Sequence, residues 1–86
     1  MAATIISVTF EVDAQNHKDG QFSVPKAVCS ILGLDAGEDI TVIIESSASK
    51  PKIATKLASG TEIYGSEIAQ YVKAGQRIRV TASRSS

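Results

Sequence analysis

Within a strand expected from Thr4 to Asp13, apolar and polar residues alternate strictly from Ile6 onward. Ile6, Val8, Phe10 and Val12 fall on one side and Ser7, Thr9, Glu11 and Asp13 on the other. A period of two is that of a strand with one buried and one wet face. Ala14 to Gly20 is polar and reads as a loop, with Asp19-Gly20 as its turn signal. A second strand is expected from Gln21 to Val24. Pro25 stops it and suits the first turn of a helix, because it lacks an amide proton and has a fixed φ. Ser23 stands where a hydroxyl can cap that turn. Val28, Ile31 and Leu32 are spaced i, i+3, i+4, one face of a two-turn helix, and Gly33 can close it in the left-handed conformation. Gly37 makes a further turn. From Asp39 to Glu45 the period returns to two, with Ile40, Val42 and Ile44 inward.

The second part of the chain repeats this order. Ser46 to Lys50 is a serine-rich loop. Pro51 opens a strand in which Ile53, Thr55 and Leu57 alternate with Ala54 and Lys56. Ser59-Gly60 predicts a two-residue hairpin turn into a short strand, Glu62 to Tyr64. Ser66 is the expected cap of a second helix, with Glu67 in its first turn and Ile68, Tyr71 and Val72 on one face. A last strand, Arg77 to Ala82, points Ile78 and Val80 inward and Arg77, Arg79 and Thr81 outward, and Ser83 to Ser86 is expected to fray. Leu34-Asp35-Ala36-Gly37-Glu38-Asp39-Ile40-Thr41-Val42 aligns with Val72-Lys73-Ala74-Gly75-Gln76-Arg77-Ile78-Arg79-Val80. The chain is therefore expected to be strand-strand-helix-strand twice, in one domain of residues 1–86 with units at about 4–46 and 51–83.

Gly20, Val24-Pro25-Lys26, Leu32-Gly33-Leu34 and Gly37-Glu38-Asp39-Ile40 occur in that order at fixed spacing. Over residues 5 to 57 this resembles the AbrB-type (SpoVT/AbrB) transcription factors, and the doubled unit resembles the wider cradle-loop and double-psi barrels. The resemblance implies a mainly β fold with two short helices, closed as a small barrel. Closure would come from two fused units in one chain, or from a swapped-hairpin homodimer of residues 1–58 with the remainder appended. It also implies DNA binding. The chain departs from the pattern at Gln21, where the family often has arginine, and at Ala27-Val28-Cys29-Ser30, which lacks its basic residues. A single unit leaves strand edges unpaired and half a core, so pairing about a two-fold is the physical requirement in either case.

Charge separates the halves. Residues 1–49 hold two lysines against seven carboxylates, a net −5, and residues 50–86 hold seven cations against two carboxylates, a net +5. Such a split predicts either a polyanion surface in the second half or two halves that attract each other. Arg77 and Arg79 share a strand face, and Lys52 and Lys56 are expected to extend the patch from a neighbouring strand, flanked by Lys73 and Arg84. Lys26 occupies the Pro-Lys position of the resemblance. Lys26, Lys52, Lys56, Arg77 and Arg79 are accordingly the candidate DNA contacts, on phosphates or base edges. An acidic protein partner is the alternative for the same face, as is the antitoxin role of some AbrB-like chains.

Catalytic and metal chemistry find no constellation. His17 is a lone loop histidine, Cys29 a lone thiol at a core position, and Glu11 with Asp13 ends an amphipathic strand. No metal, cofactor or enzymatic activity is expected. One cysteine and no leader or spanning segment predict a cytoplasmic protein with no membrane association.

Overall fold

The computed structural model describes residues 7–14, 21–73 and 75–84. The expected strand start Thr4–Ile6, the loop with His17 and Lys18, Gly20, Ala74 and the last two serines lie outside them. Within them the fold is mainly β with two short helices: β1 Ser7–Asp13, β2 Gln21–Ser23, α1 Lys26–Leu32, β3 Asp39–Ile44, β4 Lys52–Lys56, β5 Glu62–Tyr64, α2 Ser66–Ala69 and β6 Arg77–Arg84. The strands form a four-stranded antiparallel sheet, β1-β6-β3-β4, and a two-stranded one, β2-β5. These pairings do not close the two sheets into a ring.

Every pairing joins the first unit to the second. β1 pairs with β6, β2 with β5, and β3 with both β4 and β6. Exchanging β1 with β4, β2 with β5 and β3 with β6 leaves this pattern unchanged, so it has a two-fold sense. The turns repeat it in atomic detail. The Ala14 amide donates to the Gln76 carbonyl (2.7 Å) and the Gly75 amide to the Ala14 carbonyl (3.1 Å). Likewise the Leu57 amide donates to Glu38 (3.0 Å) and the Gly37 amide to Leu57 (2.7 Å). The Glu38 side chain accepts from the Asp35 amide at 2.8 Å, and the Gln76 side chain from the Lys73 amide at 3.2 Å. Gly37 and Gly75 have φ of 91° and 80°, which other residues adopt only under strain. The hydrogen bonds that join Asp35 to Glu38 and Lys73 to Gln76 are thus the same pattern made twice.

The inward faces make one core. Ile40, Val42, Ile44, Ile78, Val80 and Ala82 are buried in the large sheet, and Phe22 and Ile63 meet as the central pair of the small one. Val8, Phe10, Val12 and Tyr71 are half-buried against them. Each fully buried Val, Ile or Phe contributes about 1.5–3 kcal/mol relative to exposure.

Several local expectations are corrected. The Ser59–Thr61 turn is a single 3₁₀ turn, and β5 leaves β4 to pair with β2, so no β4–β5 hairpin forms. Ser23 does not cap α1. Pro25 is the cap residue, with ψ of 142° and no side-chain bond, because Ser23 is held in β2 opposite Glu62. Gly65, not Ser66, precedes α2, again without a side-chain cap. Gly33 does end α1 in the left-handed conformation. The buried face of α1 is Val28, Cys29 and Leu32, whereas Ile31 is 56% exposed. Val28 and Leu32 fix the direction of that face, and positions 29 and 31 then lie about 80° to either side of it. Apolarity alone favoured isoleucine; the packing selects the cysteine. Finally, β6 runs on to Arg84 instead of fraying, since Ser83 pairs with both Ser7 and Thr41.

Candidate functional site

Alternation along β6 sends Arg77, Arg79, Thr81 and Ser83 to the outer face, as expected. The register then decides their surroundings. Antiparallel pairing sets Glu11 opposite Arg79 and Asp13 opposite Arg77. Arg79 Nη2 donates to Glu11 Oε2 at 2.9 Å and Nε to the same oxygen at 3.2 Å. Arg77 Nη1 donates to Asp13 Oδ1 at 3.1 Å and Nε to Glu11 Oε1 at 3.3 Å. On the other side the Glu45 amide bonds the Arg79 carbonyl at 2.8 Å, and Glu45 lines the same shallow depression as Glu11, Arg77 and Arg79. Two carboxylates, Glu11 and Asp13, therefore hold the two guanidinium groups, and Glu45 lines the depression beside them. The Arg79 and Arg77 hydrogen bonds hold the Glu11 carboxyl below its ordinary range, and Asp13, then Glu11, push the Arg77 guanidinium up.

The other candidates do not join this cluster. β4 is not a neighbour of β6, because β3 lies between them. Lys56 sits at the far end of β3, where its Nζ donates to Asp39 Oδ1 at 2.7 Å. Lys52 lies opposite Ile43, and Lys26 is exposed on the first residue of α1. Arg84 is structural. Its Nη1 donates to the Leu32 and Gly33 carbonyls at 3.2 and 2.8 Å, closing the α1 C-terminus, and its Nη2 is 4.0 Å from Glu38. Every ion pair among the described residues joins a carboxylate of residues 1–49 to a cation of residues 50–86. Of the two readings of the charge split, mutual attraction of the halves describes these contacts.

Between the charged ends, the outer face of β1, β6 and β3 carries no formal charge, with Lys52 of β4 beside it. Ser7, Thr9, Thr81, Ser83, Thr41 and Ile43 form its middle, with the Thr9 and Thr81 hydroxyls 2.8 Å apart. Cys29 is buried, and desolvation, with Asp35 adding to it, pushes its thiol up, away from nucleophilic reactivity. Among the described residues no group of three or more His, Cys, Asp or Glu is placed to hold a metal, and no helix is long and apolar enough to cross a membrane.

Comparison with protein-family models, with curated proteins and with solved structures finds no match. The likeness to the AbrB type rests on the motif residues of this chain.

The Glu11 pairing has a pH signature. Because the folded pKa is depressed, its stabilisation is complete above the ordinary value of 4.5 and is lost as pH falls through the folded value. The urea midpoint of the wild type is expected to fall between pH 5 and 3 more steeply than that of Glu11→Gln. Parallel pH profiles would show that the bonds contribute nothing. The groups are exposed, so the difference is small.

Proposed function

We propose that this chain is a non-enzymatic binding module of the AbrB-like, cradle-loop kind, and that its partner is a protein in place of DNA. One observation carries this reading: Arg77 and Arg79, the centre of the expected phosphate surface, are held by Glu11 and Asp13 beside Glu45. A phosphate approaching them meets guanidinium groups already paired with the Glu11 and Asp13 carboxylates, whereas duplex binding depends on cations free to replace the counterions of the backbone. The strip of Thr9, Thr81, Thr41 and Ile43 carries no formal charge and is bounded by charged residues, and depletion of charge is a mark of the centre of a protein contact.

Gel retardation of a short random duplex at low salt tests it. The expected result is no complex tighter than about 10⁻⁴ M, the weak end of non-specific binding. A tighter complex that salt reverses would overturn the reading.

A DNA-binding transcription regulator is the second reading. It is favoured by Lys26, Lys50, Lys52 and Lys73, which have no carboxylate partner among the described residues, and by the Pro25-Lys26 motif. On this reading Lys26→Ala with Lys52→Ala lowers the salt slope of binding by about 2. The antitoxin variant gains no support, since the segment it would leave as a toxin-binding extension forms β5, α2 and β6.

A further inference from the structure

We propose that each half of this chain is a recognition surface for the other half and not for itself, with the choice written in the signs of four residues. The repeated turn makes Asp39 equivalent to Arg77. The repeated bonds of Ala14 and Leu57 make Asp13 equivalent to Lys56. In the fold, Asp13 faces Arg77 and Asp39 faces Lys56, at 3.1 and 2.7 Å. These two contacts are one contact of the pseudo-two-fold, made twice with its polarity inverted.

The inversion discriminates between assemblies. Two first halves, paired about the same axis, would set Asp13 of each against Asp39 of the other. Two second halves would set Lys56 against Arg77. Both assemblies place like charges directly opposite on paired strands, which is unfavourable, while first-with-second places opposite charges there. The net −5 and +5 of the two halves act in the same direction at longer range. The partner that fits the first half is therefore a basic strand-strand-helix-strand unit. It is this chain's own second half, or the second half of another copy if the Ser46–Lys50 loop opens. A second carboxylate-rich first half is excluded.

Two full-length variants of identical composition separate this from a general charge effect. Asp39→Lys with Arg77→Asp puts like charges in both native contacts: the introduced lysine meets Lys56, and the introduced aspartate meets Asp13. It also makes first-with-first and second-with-second pairing between copies complementary. Asp13→Lys with Arg77→Asp exchanges one native pair and keeps both native contacts opposite in sign. Each loses the Arg77 bond to Glu11 equally. The four side chains are 57–71% exposed, so core packing is untouched.

Sedimentation equilibrium at low salt is expected to show the first variant associating about tenfold more strongly than the second, with the difference vanishing at high salt. Combining Asp13→Lys, Asp39→Lys, Lys56→Asp and Arg77→Asp restores opposite signs within the chain and like signs between like halves. It should return association to the wild-type level. Equal association of the two double variants, or no recovery in the fourfold variant, would overturn the proposal. If the first variant is unfolded at low salt, high salt should restore its fold, and failure to do so counts equally against it.

Discussion

Replacing Phe22 by alanine is expected to cost about 3–5 kcal/mol, enough to unfold much of the population at ordinary temperature. Phe22 and Ile63 are the central pair of β2-β5, and both are completely buried. They lie where the pseudo-two-fold relates the small sheet to itself, so each unit contributes one side chain to a contact that neither could make alone. A domain of this size has a total stability of about 4–13 kcal/mol. A cavity at that point removes transfer free energy and leaves atoms of both units without neighbours. Phe22→Leu should cost much less, because a branched aliphatic chain fills most of the space. Urea unfolding of the two variants is the check. A loss below about 1 kcal/mol for the alanine variant would mean that the small sheet does not join the units.

How much of this was legible beforehand depended on range. Period-two patterns placed β1, β3, β4 and β6 and named Ile40, Val42, Ile44, Ile78 and Val80 as core, because strand alternation is a local property. The repeated Ala-Gly turn was visible as a sequence match. Partners were not visible. Ser59-Gly60 looks like a hairpin, but the strand after it is only three residues long and finds β2 across the molecule. The same blindness affected the site. Arg77 with Arg79, and Glu11 with Asp13, each occur at i, i+2 on an outward face. Neither pair reveals that the other lies opposite until β1 is known to pair with β6. The charge split was the available clue. Read as attraction between halves instead of a surface for polyanions, it would have led to these contacts.

Ending the chain at Ala58 should abolish the fold altogether. The AbrB resemblance allowed residues 1–58 to pair with a second copy and treat the remainder as an appendage. Truncation at that point keeps β1, β2, α1, β3 and β4 but removes both β5, the partner of β2, and β6, which lies between β1 and β3. Of the four strand pairings only the β3-β4 hairpin survives, and an isolated hairpin is marginal in water. A second truncated copy could supply β3 in place of β6, since the two are equivalent by the pseudo-two-fold. That exchange sets Asp13 against Asp39 in both symmetric contacts, and it also replaces Arg79 opposite Glu11 by Thr41, its equivalent in the first unit. The substitute therefore loses the ion pairs of β1 and gains like-charge contacts. Far-ultraviolet circular dichroism of residues 1–58 is expected to lack native strand signal, with no cooperative transition in urea. A folded dimer of this fragment at low salt would show that the second unit is dispensable and that its basic residues exist for some other partner.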